Sequence, residues 1–193
     1  VFASLVVVII ATGDELVEIG KPLGSLAQIY NSNTPTLTAL LSKLPITLKD
    51  YGITKDSLSA TQDTLRRAIS ECDVIISSAG VSVGDYDFLT QVVDELGQIN
   101  HYKVAMKPGK PFVFGEFGDY SQGKKRTVLY FGLPGNPLST VVGCINFVRP
   151  ALWHMLGATD ATLELCLNAH TTSPLHKNTG RREYQRAIFE QGA

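Results

Sequence analysis

The 193 residues suffice for one domain of ordinary size with part of a second. Apolar content is 44% and charged content 18%, which suits a packed core and argues against disorder. The net charge of −1, with a pI near 6.5, leaves no basic footprint for nucleic acid.

Phe2 to Ile10 reads as a strand buried on both faces, by its run of Val and Ile. It is too short to span a membrane. No basic residue precedes it and no small-residue cleavage site follows, so no signal peptide is expected. Val1 in place of Met, almost inside a strand, suggests a fragment of something longer or the trimming of a few residues. Thr12-Gly13-Asp14-Glu15-Leu16 is a turn with paired carboxylates, and Gly20, Pro22 and Gly24 keep the next stretch irregular. Ser32 or Asn33 caps a helix with Pro35 in its first turn, and Leu37, Leu40, Leu41 and Leu44 share one face. Pro45 ends it. Ile46, Leu48 and Tyr51 alternate as a short strand, and Gly52 to Asp56 is the following loop. Ser59 with Gln62 predicts a capping box for a helix striped by Leu58, Leu65, Ala68, Ile69 and Cys72.

Val74 to Ser78 is a second buried strand. It breaks into Ala79-Gly80-Val81-Ser82-Val83-Gly84-Asp85-Tyr86-Asp87, and Phe88 to Leu96 follows as a helix with Gly97 as its C-cap. Ile99 to Met106 alternates and ends in Lys107-Pro108-Gly109-Lys110-Pro111. Phe112–Phe117 and Thr127–Phe131 pair across a polar loop whose Lys124-Lys125-Arg126 run suits a solvated tip. Gly132 to Pro137 is a stiff turn before an apolar helix, Ser139 to Leu156, broken or kinked at Pro150. The order β-α-β-α-β-α predicts an α/β fold: an open, mostly parallel sheet with helices on both faces. Residues 1–157 form that domain. Alternation over 163–170 and 182–189 marks residues 158–193 as the start of a small, truncated β domain.

Cys72, Cys144 and Cys166 sit singly in apolar segments without metal spacing, which points to buried thiols in a reduced cytoplasm. The four histidines are scattered and suggest no metal site. Trp153 and Met155 read as core or interface.

T-G-D-E-L (12–16), I-Y-N-S-N (29–33), S-A-G-V-S-V-G-x-x-D (78–87), K-P-G-K-P (107–111) and L-P-G-N-P (133–137) together resemble the MoeA-type molybdopterin molybdotransferases, a family that includes the animal scaffold gephyrin. The resemblance spans roughly residues 4–157, and Gly180 to Arg186 resembles a segment of the family's C-terminal β domain. It implies a molybdopterin-binding, MogA-like fold. It implies insertion of molybdate into adenylylated molybdopterin, with release of AMP and with Mg²⁺ assisting. It also implies a homodimer, contact with an adenylyltransferase partner, and clefts completed by an N-terminal region. No nucleic acid or membrane partner is expected. Ala79 stands where the family usually has Gly, Asn31 where many relatives carry Asp, and Pro45 where Gly is common.

The chemistry of the residues agrees with those expectations. Asp14 and Glu15 after a buried strand suit Mg²⁺, which takes a few hard oxygen ligands and keeps its water; a helix cap plus a solvated acid is the plain alternative. Asp56 and Asp87 follow the second and third strands and suit acid–base work, with N-caps as the alternative. The resemblance gives Asp87 a part in breaking the adenylyl bond. Lys107 and Lys110, in a loop stiffened by Pro108 and Pro111, suit a tetrahedral dianion, and Ser82 adds a hydroxyl; a solvated basic turn is the plain alternative. Gly80 and Gly84 let the backbone approach a ligand. Pro134 and Asn136 either meet pterin or phosphate or simply form a rigid turn. Rival readings are an adenylyltransferase or CinA-like enzyme on the same fold, and a non-catalytic scaffold.

Overall fold

A computed structural model describes residues 4–78, 88–119, 126–158, 167–176 and 179–190. Strand β1 (Leu5–Thr12) runs two residues past its expected end, and residues 1–3 lie outside the described set. Two short strands not anticipated from the sequence, β2 (Leu16–Val17) and β3 (Ile29–Tyr30), pair in parallel around the irregular stretch.

Helix α1 (Asn33–Leu41) buries Leu37 and Leu41. Neither expected cap operates there. Ser32 makes no side-chain cap bond; Asn31 instead accepts from Thr34 N–H at 3.3 Å and donates to Thr34 Oγ1 at 3.0 Å. Leu44 lies beyond the helix but is still buried. Strand β4 (Ile46–Thr54) is longer than its alternation suggested. It passes Gly52 through a register shift opposite Ile9–Ala11, so the loop begins only after Thr54.

Helix α2 (Leu58–Glu71) is capped by Ser57, whose Oγ accepts from Ala60 N–H, and not by Ser59. Ser57 is extended, as an N-cap must be, while Ser59 is already helical. Gln62 reaches Glu95 on the next helix instead of closing a box. Strand β5 (Val74–Ser78) is wholly buried, and α3 (Phe88–Leu96) follows. Gly97 ends α3 with its N–H on Val93 O. A Cβ at Gly97 would collide with Glu116 O and the Phe117 ring, so close approach to the sheet demands glycine there.

The expected strand 99–106 divides into β6 (Gln98–Tyr102) and β7 (Met106–Lys107), because Lys103 turns the chain at φ +80°. Strands β8 (Val113–Asp119) and β9 (Arg126–Leu133) form the expected hairpin. The apolar helix starts two residues early, as α4 (Pro137–Gly143). It passes through a π-helical turn, Cys144–Val148, and continues as α5 (Arg149–Met155). Pro150 lacks an N–H and crowds the preceding turn; widening that turn to π geometry lets the helix continue. Of the strand expected over 182–189, only β10 (Arg182–Glu183) forms, and it pairs with β7. Residues 167–170 are not strand, and 163–166 lie outside the described set.

The main sheet has the order β4-β1-β5-β9-β8-β6. The first four strands are parallel; β8 and β6 run antiparallel to their neighbours. The open, mostly parallel sheet expected from the sequence is therefore present. Strand alternation sends Val8, Ile10, Ile75 and Tyr130 to one face, under Leu65 of α2 and Leu89, Val92 and Val93 of α3. Val7, Ile9, Ile76 and Phe131 go to the other face, with Leu37 of α1 and Leu152 of α5. Fully buried Val, Ile and Leu side chains each stabilise by about 1.5–3 kcal/mol, so these two layers dominate the fold.

Candidate active site

The strand directions decide which loops meet. The carboxyl ends of β4, β1, β5 and β9 share one edge. Because β8 is antiparallel to β9, with Val113 opposite Gly132, its start returns to that same edge. The turns after Thr12, Thr54 and Leu133 and the Lys107–Pro111 turn thus line one rim, at which β5 also ends with Ser78. The helix after β1 packs on one face and the helix after β5 on the other. Adjacent strands whose connections leave on opposite faces open a crevice at their carboxyl ends. Here that crevice lies between β1 and β5.

The acids cluster on the β1–β4 side. Asp56 N–H donates to Asp14 Oδ1 at 3.1 Å. Burial, then the charges of Asp14 and Glu15, push the Asp56 carboxyl above its ordinary value. Glu15 folds its carboxylate back against Gly13. Among the described residues, no group of three or more His, Cys, Asp or Glu is placed to hold a metal unaided.

Gly80, Ser82, Gly84 and Asp87 lie outside the described residues. On the far side, Pro134 is buried, and its carbonyl accepts from Thr140 Oγ1 at 2.5 Å. Asn136 caps α4: its Oδ1 accepts from Leu138 N–H at 3.1 Å and Ser139 N–H at 3.2 Å. Gly109 adopts φ +94° and packs so closely on Met106 that a Cβ would meet its Cε at 2.8 Å. This shapes the turn and leaves Lys110 at the surface. Lys107 is also largely exposed, but its Nζ lies 3.7 Å from Glu183 Oε1.

The structure therefore brings Asp14, Glu15 and Asp56 together on one side of the rim, and Lys107 and Pro108 into a second cleft with the chain's C-terminal segment. From β1 to β8 is three strand spacings, about 15 Å.

Three polar groups escaped the sequence reading. Thr12 Oγ1, Ser78 Oγ and Asn33 Oδ1 are buried and find no hydrogen-bond partner among the described residues. Thr12 and Ser78 end β1 and β5; Asn33 begins α1 and donates its Nδ2 to Gly135 O at 2.8 Å. All three belong to the polar loop segments noted above, but short polar residues at element ends read first as caps. Buried polar groups without partners are rare in folded proteins, and three near one crevice mark it as a place for polar recognition.

Residues 8–154 match the family model described as a probable molybdopterin binding domain. The chain belongs to this family. It is 39% identical to a molybdopterin molybdenumtransferase of Haemophilus influenzae over 194 residues, covering 99% of this chain and 46% of that protein. It is 36% identical to the molybdopterin molybdenumtransferase of a Nostoc strain, covering 92% and 40% respectively. Among solved structures, a molybdopterin biosynthesis MoeA protein from Pyrococcus horikoshii superposes with a TM-score of 0.68 at 29% identity, covering 81% of this chain and 37% of that one. The chain thus spans less than half the length of these relatives.

Proposed function

We propose that this chain is the pterin- and anion-binding part of a molybdopterin molybdotransferase, which inserts molybdate into adenylylated molybdopterin and releases AMP. The observation that carries the reading is the shared rim. Acids at the ends of β1 and β4 and cations before β8 line the same sheet edge, far enough apart to suit the two ends of an extended pterin nucleotide. The similarity to molybdopterin molybdenumtransferases supports the same reading.

Lys107, Lys110 and Ser82 bind molybdate, whose oxygens need donors held at set distances. Pro108 and Pro111 lower the entropy lost in ordering that turn. Gly80 and Gly84 bring backbone N–H groups to the phosphate. Pro134 and Asn136 form the wall beyond β9, with Asn33 tying that wall to α1. Asp87 and Asp56 act at the adenylyl phosphoanhydride, taking a proton from a water whose oxygen attacks phosphorus as the bridging P–O bond to the other phosphate breaks. Asp14 and Glu15 would hold Mg²⁺, with Asp56 beside Asp14. Magnesium needs only one or two carboxylates when phosphate and water complete its shell, so this rim fits it. Bound there, it would neutralise charge on the phosphoanhydride.

The reading carries with it a homodimer, an adenylyltransferase that supplies the substrate, and a cytoplasmic setting; the buried thiols of Cys72 and Cys144 suit the last. None of the described helices is long and apolar enough to cross a membrane. The reading takes residues 1–157 as the molybdopterin-binding domain and 158–193 as the start of a β domain.

The test is AMP release from adenylylated molybdopterin with and without molybdate, followed by chromatography. Release that depends on molybdate supports the reading. Formation of adenylylated pterin from ATP without molybdate would make the chain an adenylyltransferase instead.

A further inference from the structure

Strands β7 and β10 fasten the C-terminal segment onto the Lys107–Pro111 turn. Arg182 N–H donates to Ala105 O at 2.9 Å, and Tyr184 N–H to Lys107 O at 2.8 Å. Between those two bonds sits Glu183, in register with Lys107. Its Oε1 is 3.7 Å from Lys107 Nζ, and its Oε2 accepts from Gln185 Nε2 at 3.4 Å. The Glu183 side chain is only 15% exposed, that of Lys107 61%. Both line a cleft of about 670 Å³ that also takes in Pro108, Leu138, Tyr184 and Arg186. The carboxylate is the enclosed partner, and the ammonium is the one free to turn.

We propose that Glu183 is an internal counter-anion for Lys107, occupying its ammonium until a tetrahedral dianion takes the carboxylate's place. The inference rests on the reading of Lys107 as part of an oxyanion site. A carboxylate and molybdate offer the same donor-seeking oxygens, but the dianion carries twice the charge and attracts the ammonium more strongly. A pair this long and this open to water is weak, so its displacement costs little. Backbone bonds, not the carboxylate, attach the segment, so releasing Lys107 leaves the cleft wall standing.

Calorimetric titration of the 193-residue chain with sodium molybdate tests this, using Lys107→Gln, Glu183→Gln, Glu183→Ala and, as a control for net charge, the exposed Glu190→Gln. Lys107→Gln is expected to weaken binding at least about fivefold. Both Glu183 variants are expected to tighten it about two- to fivefold, the worth of an exposed ion pair no longer in competition. Glu190→Gln is expected to match the parent chain. If Lys107→Gln weakens binding but neither Glu183 variant tightens it, the counter-anion role is wrong and the oxyanion site stands. Equal tightening by Glu190→Gln also overturns the role, since any lost negative charge would then serve. If Lys107→Gln binds molybdate like the parent, or the parent binds none, the oxyanion reading of Lys107 fails and takes this inference with it.

Discussion

Asp56 shows how one side chain registers the crowding of the rim. Its carboxyl is held above the ordinary value of 3.8, first by burial and then by Asp14 and Glu15. Ionising it is therefore harder in the folded chain than in the unfolded one. Its contribution to stability is full below 3.8 and falls as pH rises from there through the folded value, then stays level. Asp14→Asn should move the Asp56 titration down toward 3.8, read from carbonyl-carbon NMR shifts. An unmoved titration would leave burial and Glu15 as the causes. Cys72 illustrates the opposite kind of residue. Burial, partly offset by Arg126, pushes its thiol up to about 12. Iodoacetamide at pH 8 should leave Cys72 unmodified in the native chain and alkylate it in urea, as peptide mass spectrometry would show.

Among the elements, two substitutions separate packing from capping. Gly97→Ala forces a methyl into Glu116 O and the Phe117 ring where α3 turns into β6. It should cost about 2–3 kcal/mol in urea unfolding, as overpacking does. Asn136→Ala removes the oxygen that caps α4 and should cost about 1 kcal/mol. Buried strands and amphipathic helices were legible because their signals are periodic: β1 and β5 as apolar runs, α2 as a stripe. What stayed hidden depended on distant partners or on local turns of the backbone. Whether Ser57 or Ser59 caps α2 is decided by one extended residue. The break between β6 and β7 comes from a left-handed lysine, which composition does not announce. The extension of β4 to Thr54 is supported by β1 alongside it, overriding a Gly52 that reads as a loop. The rim's loops were recognisable as polar stretches after strands. The pairing of Lys107 with Glu183 was not, because 76 positions of chain separate two residues that a two-residue strand makes neighbours.

For the whole molecule, the order of strands matters more than any one loop. Four parallel strands alone would put acids and small-residue turns at one edge. The reversal at β9–β8–β6 returns the proline-bounded lysine turn to that edge. A chain extended to the length of its relatives should release AMP in the molybdate-dependent assay faster than these 193 residues do alone. Equal rates would mean that the described rim is sufficient for the reaction.

The same reversal has a practical side. Asp119 and Arg126 face each other where β8 hands over to β9, at the rim opposite the crevice. A dye, an affinity handle or an attachment to a solid support joined to the chain at Asp119 would sit a full strand's length from Lys107 and Lys110, at the opposite end of β8. Immobilised by that point, the protein would present its crevice to the surrounding solution, an orientation useful for watching ligands arrive one at a time.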